Sequence, residues 1–268
     1  MLAPFSVLFD DADLPAYALP EKLGRLYGRL GFADRVVYAN FVSSLDGVVT
    51  LGSGISAGSV ISGKYAADRF LMALLRACAD AVVLGAGTLR ATPGHLWTPA
   101  HVFPELAAEF AALRVALERS PQPRLVVLTE SGRMDREHPA LKKGAIIVTT
   151  EAVAQRIGSR LPPACEVIGL GKGKSLNLER VFRELRNMGF DALLSESGPH
   201  LTGELIKAGL LDEVFLTLSP VLAGRNKERR PGMVEGVELL PRTPAWSRLL
   251  SARRHADYLF LRYGLRLS

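Results

Sequence analysis

The chain has 268 residues, 48% of them apolar, and a formal net charge of +6. That length and apolar fraction support a full core and exclude general disorder, and no apolar run reaches the roughly 18 residues of a membrane span. The basic residues are scattered rather than interleaved with aromatic ones, which argues against a nucleic-acid binder and leaves small polyanions as the partners a mild positive field favours.

The opening Met1-Leu2-Ala3-Pro4-Phe5 lacks the basic-then-apolar pattern of a secretory signal. Two isolated cysteines, Cys78 and Cys165, suit a reducing cytoplasm, each acting as a small structural hydrophobe. Residues 1–34 are Pro-spotted and read as an N-terminal extension, with one helix over 21–30 ending near Gly31. A buried strand over 35–42 runs into Asp46-Gly47, a turn signal, and a short strand over 48–51 follows. Residues 52–62 are Gly/Ser-rich and read as a loop. Over 66–78 the apolar residues Phe70, Leu71, Leu74, Leu75 and Cys78 share a helical face.

A strand over 81–84 closes on Gly85-Ala86-Gly87-Thr88, and an Ala-rich helix spans 104–119. Strands are predicted over 125–129, 145–149, 166–170, 192–195 and 213–219, and helices over 151–159, 177–188 and 201–208. Such alternation implies an α/β fold with a mixed, mostly parallel sheet and helices on both faces. Residues 249–253 and 258–263 flank His255-Ala256-Asp257 as an antiparallel C-terminal hairpin at the sheet edge. With no repeat, linker or shift in composition, residues 1–268 read as a single domain. Arg225, Lys227, Arg229 and Arg230 read as a solvated loop.

The segment with most chemical content runs from Leu193 to Ile206: an apolar strand, then Glu196, a small-residue turn Ser197-Gly198-Pro199, and a helix. The first N–H groups of a helix have no intrahelical acceptor and suit an anion. The Gly85–Gly87 turn lets backbone approach a ligand, and Thr88 adds a hydroxyl. Two such turns at strand ends point to a nucleotide bound across the carboxyl ends of the sheet, although the dinucleotide pattern G-x-G-x-x-G is absent. Asn40 and Ser43 alternate with apolar neighbours at another strand end. Asp46 reads first as a turn former, and Arg76 is either a solvated side chain or a bidentate phosphate clamp. The five histidines have no metal-ligand spacing and no metal site is expected.

Three segments, Asn40-Phe41-Val42-Ser43-Ser44-Leu45-Asp46-Gly47, Leu74-Leu75-Arg76-Ala77 with residues 79–90, and Glu196-Ser197-Gly198-Pro199 with residues 210–220, resemble the pyrimidine reductase domain of riboflavin biosynthesis, within the dihydrofolate reductase-like superfamily. The resemblance covers residues 35 to about 224. It implies an NADPH-dependent reduction of the ribosylamino group of a phosphoribosylaminopyrimidine to ribitylamino. By that resemblance, Ser43, Gly85, Ala86, Gly87, Thr88, Thr92 and the run Gly198, Pro199, His200, Leu201, Thr202, Gly203 and Glu204 contact the cofactor. Thr129 and Ser131 fall near its adenosine 2′-phosphate, Asn40, Asp46, Arg76 and Glu196 hold substrate, and Glu196 is the catalytic candidate. Family members commonly form homodimers, here through the C-terminal hairpin and Pro220-Val221-Leu222. Many members have Ala-Asp-Asp-Pro where this chain has Arg90-Ala91-Thr92-Pro93, and Gly-Gly-Pro where it has Ser197-Gly198-Pro199. The family's zinc deaminase motifs are absent.

The leading expectation is thus a cytoplasmic NADPH-dependent reductase acting on a small phosphorylated pyrimidine, binding neither nucleic acid nor membrane. A dihydropterin reductase and a non-catalytic nucleotide-binding protein are the alternatives. The proton donor stays open between water and Glu196.

Overall fold

The computed structural model describes residues 2–52, 57–225 and 230–266. Ten strands form one sheet: β1 (Ser6–Asp10), β2 (Val36–Ser43), β3 (Ala81–Gly85), β4 (Arg124–Leu128), β5 (Ile146–Thr149), β6 (Glu166–Gly169), β7 (Ala192–Ser195), β8 (Glu213–Leu218), β9 (Trp246–His255) and β10 (Tyr258–Arg266). Their order is β1-β9-β10-β8-β2-β7-β3-β4-β5-β6. From β8 to β6 neighbouring strands are parallel, and β8, β10, β9 and β1 pair antiparallel. The mixed, mostly parallel α/β sheet with a C-terminal hairpin is therefore present.

Side-chain alternation splits the core between the two faces. Tyr38, Val82, Leu84, Val127, Leu194 and Phe215 face helices Ala66–Ala77 and Ala107–Ala116. Val37, Val83, Val126, Ile146 and Leu193 face the helices that carry Val181, Phe182 and Leu185 and Leu205 and Ile206. Helix Ala66–Ala77 buries the predicted stripe and is also tied to the sheet by Tyr38, whose hydroxyl donates to Leu75 O at 2.8 Å. Cys78 lies in this core, and burial pushes its thiol up to about 12.

Several elements differ from expectation. Residues 48–51 are not a strand: Val48 O accepts from Ser44 N, and Val49 N–H donates to Pro231 O, so their backbone groups serve loops. Within the expected loop 52–62, a helix covers Ala57–Ile61, and residues 53–56 lie outside the described residues. The first helix is Glu21–Tyr27, stopped by Gly28 at φ 86°, where an L side chain would be strained. The Gly85 turn leads directly into a helix, Ala86–Ala91, and the span 104–119 begins with a short 3₁₀ turn before Ala107–Ala116.

The C-terminal hairpin is not an edge. Residues from the N-terminal segment form β1 and cap β9. Buried arginines lock that region: Arg253 pairs with Asp10 at 2.9 Å and donates to Tyr27 O and Arg29 O, both at 2.8 Å. Arg262 binds both oxygens of Glu213 at 2.7 and 2.9 Å over the rings of Phe32 and Phe215.

Candidate functional site

The chain order reverses around β2, with β7 and β8 inserted on either side of it, and loops from such strands diverge to leave a crevice at their carboxyl ends. A cleft of about 480 Å³ opens there. Its walls include Asn40 and Val42 from β2, Asp68, Met72 and Arg76 from helix Ala66–Ala77, Thr88 and Thr92, His95 and Trp97 from the loop that follows, His101 and Val102 from the short helix Pro99–Val102, and the run Glu196–Pro199. Seven residues singled out in the sequence thus meet: Asn40, Arg76, Thr88, Thr92, Glu196, Gly198 and Pro199.

Arg76 is almost wholly buried, at 1% exposure. Its Nε and Nη2 bind the two carboxylate oxygens of Glu196 at 2.7 and 2.6 Å. Nη2 also lies 3.0 Å from His95 Nε2, and Nη1 donates to Leu96 O at 3.3 Å. The guanidinium is thus enclosed and anchors Glu196, which removes the solvated side chain that was one of the two readings of the sequence. A bidentate pair fixes the carboxylate plane and leaves the outer lone pairs of both oxygens for a ligand. Asn40 brings a buried Oδ1 that has no hydrogen-bond partner, in a wall where a ligand donor would satisfy it.

Asp68 lines the same cleft at 4% exposure. Burial raises its carboxyl to about 6, against the opposing pull of the Thr217 and Ser62 hydroxyls, and nearby Glu196 adds to the rise. Sequence reasoning missed it, although Asp68, Met72 and Arg76 recur every four residues, a stripe that carries charge on a helix otherwise buried. His95 and Trp97 were missed too, and nothing in their local sequence marks them. Burial, then Arg76, lowers His95 to about 3, so the ring is neutral.

The glycine turns flank this cleft. Gly198 has φ −71° and Gly85 φ −83°, values open to any residue. A Cβ built at either would find its nearest neighbour only at 4.0 Å, Thr88 Oγ1 and Leu201 Cδ2 respectively. Neither backbone conformation nor packing explains glycine there, whereas a ligand lying against the backbone does. Helix Pro199–Lys207 starts at this point, with a return bond from Thr202 N–H to Gly198 O at 3.2 Å. The His200 and Leu201 N–H groups lie ahead of that bond.

Other predicted contacts are placed elsewhere. Asp46 accepts from Ser44 Oγ at 2.6 Å and from the Ala223 and Gly224 amides, both at 2.9 Å, and stands 3.6 Å from Arg225. Those hydrogen bonds, the Ser44 hydroxyl first, pull its pKa down to about 2. Asp46 pins a loop and does not line the cleft. Ser43 Oγ is buried and donates to Ser44 O at 2.8 Å. Thr202 is fully buried and donates to Gly198 O, and a Cβ on Gly203 would strike Glu235 O at 2.4 Å, so both are packed against protein. His200 and Glu204 are exposed, Ala86 is buried and Gly87 open. Thr129 is buried, with Oγ1 accepting from Gly132 N at 3.0 Å. Of the basic loop, Arg225 meets Asp46 and Arg230 donates to Ala223 O at 2.5 Å, while Lys227 and Arg229 lie outside the described residues.

Ser131 lines a second cleft of about 600 Å³, over the ends of β4, β5 and β6, with Arg133, Arg156, Lys172 and Lys174 around it. Glu130 in the same wall accepts from Leu176 N at 2.9 Å. Arg133, Arg156, Lys172 and Lys174 give this concavity a positive balance, with Arg156 Nη2 donating to Ser131 O at 2.7 Å.

A crevice at the carboxyl ends of parallel strands, with one polar wall, is the place where α/β sheets of this kind bind ligands. The chain belongs to the RibD C-terminal domain family, whose model matches residues 35–249. It is 26% identical over 204 residues to the 2,5-diamino-6-ribosylamino-4(3H)-pyrimidinone 5′-phosphate reductase of Methanothermobacter thermautotrophicus, covering 75% of this chain and 85% of that one. Among solved structures it resembles a pyrimidine reductase-like protein from Corynebacterium diphtheriae, with a TM-score of 0.68 at 21% identity over 92% of this chain and 99% of that one. It also resembles Acinetobacter baumannii RibD, with a TM-score of 0.67 at 20% identity over 87% of this chain and 58% of that one.

Proposed function

We propose that this riboflavin-pathway pyrimidine reductase uses NADPH to reduce the ribosylamino group of a pyrimidine 5′-phosphate to ribitylamino, in the cleft between Glu196 and Gly198. The observation that carries this reading is the Arg76–Glu196 pair set beside two glycines that neither packing nor backbone geometry requires. The residues fit the cofactor. Open space over Gly85 and Gly198 suits a pyrophosphate against backbone, and the strand ends lead from there over β4 towards the second cleft. At about 4.8 Å per strand, β7 to β5 spans roughly 14 Å, a distance an extended dinucleotide covers. There Arg133, Arg156, Lys172 and Lys174 offer the positive charge a 2′-phosphate needs, which favours NADPH over NADH.

When bound, the nicotinamide supplies a hydride. The chain does the rest. Arg76 holds Glu196 as an acceptor for substrate hydroxyl or amino groups, Asn40 Oδ1 takes a ring donor, and Asp68 is the buried acid that holds a proton near neutral pH. Trp97 and Val102 narrow one end and limit water. Beside water and Glu196, Asp68 is a third candidate for the proton-handling group, its carboxyl keeping a proton up to about pH 6.

Calorimetry tests the cofactor assignment. Wild type should bind NADPH well ahead of NADH, and K172A/K174A should erase that difference, roughly tenfold or more for lost charged hydrogen bonds, with NADH affinity unchanged. Equal affinity of wild type for the two nucleotides would reject the assignment.

A further inference from the structure

His95 is a cleft residue that neither the hydride transfer nor the acid role above uses. It sits in the loop after helix Ala86–Ala91, between the ring of Trp97 at 5.0 Å and that of His101 at 4.9 Å. Its Nε2 is 3.0 Å from Arg76 Nη2. A guanidinium has only donors, so Nε2 must accept, and its lone pair must be free. The ring therefore carries its single hydrogen on Nδ1. A second proton would face Arg76 directly, with His101 and His138 also nearby, and the half-buried site resists it. The Arg76 charge is in turn held by Glu196 across the cleft. The Nδ1 hydrogen is the donor left over from the contact with Arg76, and His95 lines the cleft. One donor of fixed position and no charge is thus offered to whatever fills it.

We propose that His95 is a single-tautomer reader of the substrate: Nε2 positions Arg76, and through it Glu196, while Nδ1–H donates to an oxygen of the ribosyl-phosphate chain. This rests on the reductase reading above. A neutral donor at this place recognises hydroxyl or phosphate oxygen without adding charge beside Arg76. It also decouples substrate recognition from pH, because the ring stays neutral wherever Asp68 titrates.

Two isosteric variants separate the two faces of the ring. In His95→Gln the side-chain oxygen can replace Nε2 as the acceptor for Arg76, but nothing replaces Nδ1–H. In His95→Asn the amide nitrogen can replace Nδ1–H, but Arg76 loses its acceptor. The expected result for H95Q is a kcat close to wild type with substrate KM raised roughly three- to tenfold, the worth of one neutral hydrogen bond. The expected result for H95N is the reverse split, a lower kcat with KM nearly kept. NADPH affinity, measured by fluorescence without substrate, should be unchanged in both. An H95Q enzyme indistinguishable from wild type would overturn the donor role, and equal losses in kcat and KM for both variants would reduce His95 to packing. Imidazole nitrogen NMR of the wild-type protein gives a readout independent of turnover: the His95 ring should keep the Nδ1–H tautomer from pH 8 to pH 5, and a ring that protonates in that range contradicts the proposal. If wild type binds NADPH yet reduces no pyrimidine phosphate, the reductase reading fails instead, and the NMR result still decides the tautomer.

Discussion

At the scale of single residues, the buried Asp68 carries a cost in stability. Its carboxyl is raised from 3.8 to about 6 by burial. Between those values the folded chain binds more protons than the unfolded one, so stability falls as pH rises through the window and levels off above it. Asp68→Asn removes this penalty. It should raise thermal stability at pH 7.5, by about 3 kcal/mol at most for a shift of two units, gain nothing at pH 3.5, and lose most of kcat. Melting curves at the two pH values check the first part; an equal gain at both would show that the penalty is not ionisation. Gly198→Val is the complementary case. The fold has room for the added Cβ, with Thr88 Oγ1 its nearest neighbour at 4.0 Å, so the melting temperature should hold while NADPH affinity drops at least tenfold. Unchanged affinity would remove the pyrophosphate from this turn. At Gly203, by contrast, even Ala would collide with Glu235 O at 2.4 Å.

At the scale of elements, what was legible in the sequence and what was not have physical reasons. Strands β3, β4, β5 and β7 were readable because burial on both faces demands unbroken apolar runs such as Val82-Val83-Leu84 and Ile146-Ile147-Val148. Strand β1 was not, because Val7, Leu8 and Phe9 remain 44–57% exposed and carry no alternation. Its place is set by remote partners: Asp10 reaches Arg253, 243 residues away. Val48 and Val49 misled for the opposite reason, being buried and β-branched yet bonded to loops. Because Arg253 is almost fully enclosed, Asp10→Ala should leave an unpaired buried charge and destabilise the chain by about 3 kcal/mol. Denaturant unfolding would show it; a change under 0.5 kcal/mol, the scale of an ordinary surface substitution, would mean that the pair is solvent-compensated. In the site, the glycine turns were legible because they are local. The bond between Arg76 and Glu196 was not, since 120 residues separate them and only the parallel order β2-β7-β3 brings helix and strand end together.

At the scale of the whole molecule, one sheet does two jobs. Its antiparallel third is bound by buried arginine pairs, and its parallel part presents two clefts along the carboxyl ends of its strands. The described residues contain no helix long and apolar enough to cross a membrane. The edges of the sheet are β1 and β6, since β9 and β10 are both paired on either side. The central claim is that a hydride passes from nicotinamide to the sugar carbon of a pyrimidine phosphate in the cleft of Glu196. Mass spectrometry of the product formed from NADPH deuterated at the transferable C4 position tests it most directly. The account predicts a ribitylamino product one mass unit heavier, with the label on the former C1′ carbon; a product that carries no deuterium, or none formed by an enzyme that binds NADPH, would contradict it.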